Sequence, residues 1–267
     1  AKSIAYPEES FDGTVESGKI DKIVDRHANA LSFDYDSSGR LVTIHDTLDT
    51  TAHNRDIAIA YDSNGLINSV TDFMGRQVVY SYYQAGDTDG TCGDLKSVRT
   101  PVVVGTVNGN DFPNGKTTVY TYSTGSWDEH LNHNLLTIQD PKGQVWLRNV
   151  YSSVTDPTDP NYDRLLTQIR GDASDIIDYV YVPQGGGGKK VIVNDAVGNV
   201  QEHFYDAFNR LVMLREFTGR APDPSAPTTE TTNRPVGKLR ASDPGYFETR
   251  WSYNVDHLNT LIEQPNG

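Results

Sequence analysis

Several stretches of this 267-residue sequence carry residue types suited to chemistry. The Gly185-Gly186-Gly187-Gly188-Lys189-Lys190 run offers backbone amides and ammonium groups to a phosphate. A Walker-type loop, however, sets its first glycine five residues before Gly-Lys-Ser/Thr and has a helix behind it. Here Val191 and a strand-like pattern follow, so the run reads as a flexible hairpin tip. His130 and His133, beside Asp128 and Glu129, are metal-ligand types. Zinc on a helix wants histidines four apart, and a loop site wants further ligands nearby; the other histidines are scattered. Asp87-Thr88-Asp89-Gly90 is similar to the start of a Ca²⁺ loop, without the later ligands and closing Glu, and reads as a turn. Neither Gly-x-Ser-x-Gly nor His-Glu-x-x-His occurs. Carboxylates paired for glycoside cleavage are a matter of three-dimensional distance rather than sequence spacing. The expectation is no enzyme: no catalytic residue, no cofactor and no metal. Trp127, Trp146, Trp251 and the 15 tyrosines could stack on sugar rings. Trp127, in an insertion, is the ligand candidate, whereas the tyrosines sit at strand ends where they pack across hairpins. Cys92 is the single cysteine and reads as a loop thiol with no internal disulfide.

The elements that must position these residues belong to a recurring unit. Tyr35-Asp36-Ser37-Ser38-Gly39-Arg40-Leu41 returns as Tyr61-Asp62-Ser63-Asn64-Gly65-Leu66 and as Tyr205-Asp206-Ala207-Phe208-Asn209-Arg210-Leu211. It decays in Tyr253-Asn254-Val255-Asp256-His257. Asp46 and Asp72 each lie 11 residues after the tyrosine of the preceding unit. The spacing of Asp72, Gly75 and Tyr82 is kept by Asp195, Gly198 and Tyr205, and within one residue by Asp140, Gly143 and Tyr151. Such a period points to a repeat array, which has its own architecture. Aspartate at the first turn position accepts from the backbone two residues on, and glycine at the fourth takes the positive φ that closes the turn. Leu31–Tyr35 and Leu41–Ile44 alternate apolar, aromatic and polar residues with a period near two. Turns every ten or eleven residues between such flanks predict an all-β antiparallel meander.

The repeated Tyr-Asp-x-x-Gly-Arg-Leu and the spaced Asp-x-x-Gly resemble the YD repeats of Rhs (rearrangement hotspot) proteins. That family includes bacterial polymorphic toxins, the C component of insecticidal toxin complexes, wall-associated proteins and the teneurins. The resemblance covers residues 20–82, 135–151, 191–217 and 248–267. It implies that the hairpins form a curved, partly open shell or solenoid-like sheet, and that the chain is a non-catalytic wall enclosing or presenting a C-terminal toxin or effector. The implied partners are the remaining YD repeats and a cargo domain of the same polypeptide, and the implied location is secreted or at the cell surface. The chain departs from the family in lacking its Asp-Pro-x-Gly-Leu-type closing segment and a cargo. Gln264-Pro265-Asn266-Gly267 matches half a repeat, which leads us to expect a piece of a longer array. The alternative class is an extracellular module holding a glycan or a cell-surface protein through its aromatic residues and insertions, and a glycoside-acting β enzyme is the third.

Composition bounds these readings. Tyrosines outnumber phenylalanines 15 to 8, which favours strands. The 36 acidic against 23 basic residues leave a formal charge of −13, which argues against nucleic acid and anionic membrane surfaces as partners. No run of about 18 apolar residues exists for a membrane span, and no basic-then-apolar leader is visible. The whole of 1–267 is expected to be one YD-repeat β region interrupted by insertions at 83–116, 123–134, 152–163 and 218–245. In the first insertion Val102–Val104 reads as a strand. The last is rich in Pro, Thr, Ser and Ala, has almost nothing to bury, and is expected to stay extended or disordered unless something docks there.

Overall fold

The computed structural model describes residues 3–5, 18–46 and 55–265. Most of a polar loop expected between Thr47 and Arg55, and the Asn266-Gly267 end of the last repeat, lie outside the described residues. The chain divides into two compact units, residues 1–87 with 92–119, and residues 88–91 with 120–267.

In the first unit the strands are β1 (Ser3–Ala5), β2 (Lys22–Val24), β3 (Ala30–Tyr35), β4 (Leu41–Asp46), β5 (Ile57–Tyr61), β6 (Ile67–Thr71), β7 (Gln77–Tyr82), β8 (Leu95–Arg99) and the start of β9 (Thr117–Tyr122). Each pairs antiparallel with the next. The second unit continues with β10 (Leu135–Gln139), β11 (Val145–Tyr151), β12 (Leu165–Arg170), β13 (Asp175–Pro183), β14 (Lys189–Asp195), β15 (Asn199–Tyr205), β16 (Leu211–Arg220), β17 (Tyr246–Tyr253) and β18 (Asn259–Glu263). These too pair antiparallel in chain order. The fold is all-β, an antiparallel meander of hairpins. Helical geometry among the described residues is confined to the 3₁₀ turns Glu129–Leu131 and Gly185–Gly187.

The hairpins whose first strand ends on a tyrosine share one irregularity. The register slips by one residue immediately before the tyrosine, at Asp34/Tyr35, Ala60/Tyr61, Ser81/Tyr82, Val150/Tyr151, Phe204/Tyr205 and Ser252/Tyr253. The turn alone does not set this slip, since Asp72–Arg76 makes the same turn and β6–β7 keeps its register; an extra residue of this kind bends the strand and increases its twist.

Two expectations are corrected. Val102–Val104 is not a strand: only Val103 bridges, to Phe112, and the strand of that insertion is β8. Pro101 lacks the amide that a ladder at this edge would need, whereas Leu95–Arg99 has every donor in place to pair with β7. The segment 218–245 does bury residues. β16 extends into it as far as Arg220, Ala221 donates its amide to Gly198 O at 2.8 Å, and Thr228 is 0% exposed. Its polar groups satisfy one another: the Asn233 side-chain amide donates to Asp223 O at 2.7 Å and Ala226 O at 2.6 Å. A segment poor in apolar matter can pack when its buried polar groups are hydrogen-bonded. Beneath it lies the second unit's small core of Ile192, Val200 and Ala221, flanked by Val180, Val182 and Phe217.

Candidate functional site

The chemistry of the chain concentrates in the repeat turns. In Asp36–Arg40, Gly39 donates its amide to Asp36 O at 2.8 Å, while Asp36 Oδ1 accepts the amides of Ser38 and Arg40 at 2.9 Å each. Arg40 Nε and Nη2 close on Asp36 Oδ2, both at 2.8 Å. The same carboxylate pattern, with donors two and four residues on, recurs at Asp62, Asp72, Asp140, Asp195 and Asp206. Asn254 reproduces it with its amide oxygen. The fourth position is left-handed throughout: Gly39 at +74°, Gly65 at +82°, Gly75 at +74°, Gly143 at +82°, Gly198 at +81°, Asn209 at +60° and His257 at +62°. The Arg40 amide and guanidinium hold the Asp36 carboxyl below the ordinary aspartate range. Arg76, mainly through its side chain, does the same for Asp72. Asp46, which ends β4, pairs instead with Arg55 at 3.6 Å. A further turn of this kind, missed in the sequence, joins β2 to β3: Asp25 Oδ1 accepts from His27 and Asn29, and Ala28 stands at +66°. With alanine where glycine was expected, only Asp25 marks it.

The repeat tyrosines extend this chemistry from one hairpin to the next. Five strand-end hydroxyls donate to a backbone carbonyl that precedes them in the sheet, among them Tyr35 to Ile20 at 2.9 Å, Tyr61 to Leu41 at 2.8 Å and Tyr82 to Ile67 at 2.8 Å. Tyr181 to Leu165, at 2.9 Å, and Tyr253 to Leu211, at 2.8 Å, follow suit. In four of these the residue before the accepting carbonyl is a cation lying over the same ring: Lys19 on Tyr35, Arg40 on Tyr61, Arg164 on Tyr181 and Arg210 on Tyr253, at 5.5, 4.6, 5.6 and 4.9 Å from the centroid. Arg40 and Arg210 therefore serve two turns at once, pairing with the aspartate behind and covering the tyrosine ahead. This accounts for the Arg-Leu that ends the motif. Tyr205 departs from the pattern. Its ring lies under Lys189 at 5.7 Å, but its hydroxyl has no hydrogen-bond partner among the described residues.

The other candidates are placed separately from this array. Trp127 is 84% exposed. The adjoining Asp128 accepts from Tyr162 Oη at 2.6 Å and lies 3.1 Å from His130 Nδ1; the Asp128 bond pushes the Tyr162 phenol up to about 12. His130 is thus a neighbour of the loop's anchor, and His133 adopts a left-handed backbone at +67°. Among the described residues no group of three or more His, Cys, Asp or Glu is arranged to hold a metal ion. Gly186 and Gly187, at +71° and +81°, close the β13–β14 turn, with Gln184 donating to Gly188 O at 2.9 Å. Asp87 accepts from the Gln84 amide and pairs with Lys96 at 3.1 Å. Cys92 is a free, exposed thiol.

Sequence reasoning also missed a buried ion network beneath residues 218–245. The Glu202 side chain, 4% exposed, faces Arg234 at 2.9 Å, Lys190 at 3.6 Å and Arg215 at 3.8 Å. Lys190 also pairs with Glu230 at 2.6 Å, and Arg215 with Glu248 at 2.8 Å. Alongside, Thr228 donates to Asn194 Oδ1 at 2.7 Å. The signal was the alternation of Lys190, Ile192 and Asn194, which turns two polar residues the same way as an isoleucine. Every charge here has a protein partner, which suits a fastening between strand and covering segment.

No protein-family model matches the chain, and no curated protein sequence matches it. Among solved structures it is similar to the crystal structure of TcdB2-TccC3 without the hypervariable C-terminal region, at 12% identity and a TM-score of 0.21. A second similar structure is that of TcdB2-TccC3-TEV, at 11% identity and a TM-score of 0.18. Each match covers 98% of this chain and 18% of the other, so the chain spans under a fifth of the structures it matches. No helix among the described residues is long and apolar enough to cross a membrane.

Proposed function

We propose that this chain is a non-catalytic scaffold, a stretch of YD-repeat sheet contributing to an Rhs-type wall that encloses or presents a C-terminal cargo of the same polypeptide, outside or on the surface of the cell. The observation that supports the reading is the tyrosine–carbonyl bond with its overlying cation, because it fastens one hairpin to the one before it and recurs at Tyr35, Tyr61, Tyr181 and Tyr253. Most of the repeat aspartates and glycines are engaged in the turns and most of the repeat tyrosines in this fastening, which supports a structural role. The test is to express the intact reading frame and follow protease cleavage of whatever follows the repeats. A tail that resists cleavage until Tyr61→Ala and Tyr253→Ala are introduced supports the wall. A tail cut equally fast in both proteins overturns it.

A second reading, a protein-binding module, is favoured by the exposure of Trp127 on a loop anchored by Asp128 and Tyr162. Trp127→Ala that abolishes attachment to a cell surface, with folding unchanged, would select it.

A further inference from the structure

In the first unit, the chain that follows β8 folds into a small flap beside the sheet. Val103 and Phe112 exchange both backbone bonds, at 3.0 and 2.6 Å. Asp111 ties the loop between them, accepting from the Gly105 amide at 2.9 Å and from the Thr106 amide and hydroxyl at 2.8 and 2.7 Å. Pairing defines the face that the flap meets. Ile59, Val70 and Val78 are successive cross-strand partners on β5, β6 and β7, and such partners share a face. Ile57, two residues before Ile59, lies on that face as well. Between a floor of Ile57, Val70 and Val78 and a wall of Val102, Val103 and Phe112 is a pocket of about 530 Å³.

Three charged side chains line this pocket, and two of them cancel. Asp72 Oδ2 accepts from Arg76 Nε at 2.7 Å and Nη2 at 2.6 Å, while its Oδ1 accepts two amides of its own turn at 2.9 Å each. The third is Lys116. Its carbonyl accepts from the Thr100 amide and its amide donates to the Thr100 hydroxyl, both at 2.9 Å, which fixes the backbone. Its ammonium lies 3.9 Å from the centroid of the Phe112 ring. No carboxylate pairs with this ammonium among the described residues, in a chain of 36 acidic against 23 basic residues. An ammonium held against an apolar wall with its N–H donors unspent lacks only an anionic acceptor.

We propose that this pocket binds a small apolar carboxylate of the medium-chain alkanoate class, its tail on Ile57, Val70, Val78 and the flap and its carboxylate on Lys116. Isoleucine and valine methyls gain by covering a hydrocarbon tail and offer a polar ligand nothing to hydrogen-bond. The one uncompensated charge of the lining is positive, so an anion is preferred to a neutral chain and a cation is repelled. The volume lies within the roughly 300–1,000 Å³ of small-molecule sites, and an apolar lining with a few placed polar groups is their usual make-up. The site is built by the insertion and uses none of the tyrosine fastenings, so it stands or falls apart from the scaffold reading.

The test is calorimetric titration of the full chain with octanoate, 1-octanol and octylammonium, which share a tail and differ in charge. Octanoate is expected to saturate, about tenfold tighter than octanol, the worth of one charge-assisted hydrogen bond. Lys116→Met should weaken octanoate about tenfold and leave octanol unchanged, whereas Lys116→Arg should keep the preference. Val102 is 56% exposed, so Val102→Glu sets a carboxylate in the lining without burying it in a core, and should abolish octanoate binding. Melting curves establish that the variants fold; should Lys116→Met fail to fold, Val102→Glu decides. Failure of octanoate to saturate overturns the proposal, as does octanol binding equally tightly. Octanoate binding indifferent to Lys116→Met or to Val102→Glu overturns it too. A preference for octylammonium replaces it with a cation site at Asp72.

Discussion

A glycine that ends a repeat turn is there because of its φ. At Gly65, +82°, an added Cβ would meet only the guanidinium of Arg40, 3.3 Å away, so the cost of a side chain is chiefly conformational. Left-handed geometry costs a β-branched residue about 1–2 kcal/mol, and Asn much less. Gly39→Val and Gly65→Val should therefore lower the melting temperature, and the Asn variants much less; equal shifts for Val and Asn would dissociate the residue from the turn. Gly198 carries a second constraint, since its Cβ would lie 2.8 Å from Ala221 O. The tyrosines are tested by removing one atom. Tyr61→Phe loses the bond to Leu41 O but keeps the ring under Arg40, and should cost about 0.5–1.5 kcal/mol in denaturant titration. Tyr205→Phe should cost nothing measurable, because its hydroxyl bonds nothing among the described residues.

Hairpins become a sheet through contacts that span strands. His45 on β4 lies 2.8 Å from Asp34 of β3 and 2.7 Å from Asp56, just before β5. The two carboxylates, Asp34 foremost, raise the imidazole above its ordinary value. A raised folded value contributes stability that is fully present below the unfolded value of about 6.5 and is lost as pH rises through the folded one. The melting-temperature gap between the protein and its His45→Gln variant should accordingly be wide at acidic pH and close at alkaline pH. A gap constant with pH would mean that the bridge carries no charge. The segment 218–245 is held by polar contacts, and its removal from water is the reason they matter. Thr228→Val strips the hydroxyl from Asn194 and should destabilise by about 1–3 kcal/mol. Glu202→Leu leaves Arg234, Lys190 and Arg215 facing an apolar side chain and should cost more, about 3–5 kcal/mol. Limited proteolysis should then cut 218–245 in both variants while leaving it intact in the parent; early cleavage in the parent would show that the segment is not fastened.

Taken whole, the protein is two meanders with little apolar core: among the described residues only Ile192, Val200 and Ala221 form a buried apolar cluster. Backbone ladders and repeated side-chain fastenings replace the usual oily interior, so far-ultraviolet circular dichroism should show a strand spectrum with no helical minima. The turns, the strands between them and hence the all-β meander were legible in the sequence, because an aspartate that caps its own turn and a residue that accepts positive φ act within five positions of each other. The partnership of Tyr61 with Leu41 and Arg40 was not legible, although the residues recur, since it joins two hairpins across a register that no single hairpin specifies. Nor was the burial of Lys190 and Glu202: a strand's period of two says that they face one way, and the covering segment alone makes that way the inside. The same holds for the face of β13, β14 and β15, where Val191 and Val193 are ordinary strand residues until pairing sets Tyr179 and Tyr181 on one side of them and His203 and Tyr205 along the other. Turn chemistry is local and can be read along the chain. Which faces are covered, and which side chains meet across strands, depends on pairing between residues far apart in sequence, and that is settled by the folded sheet.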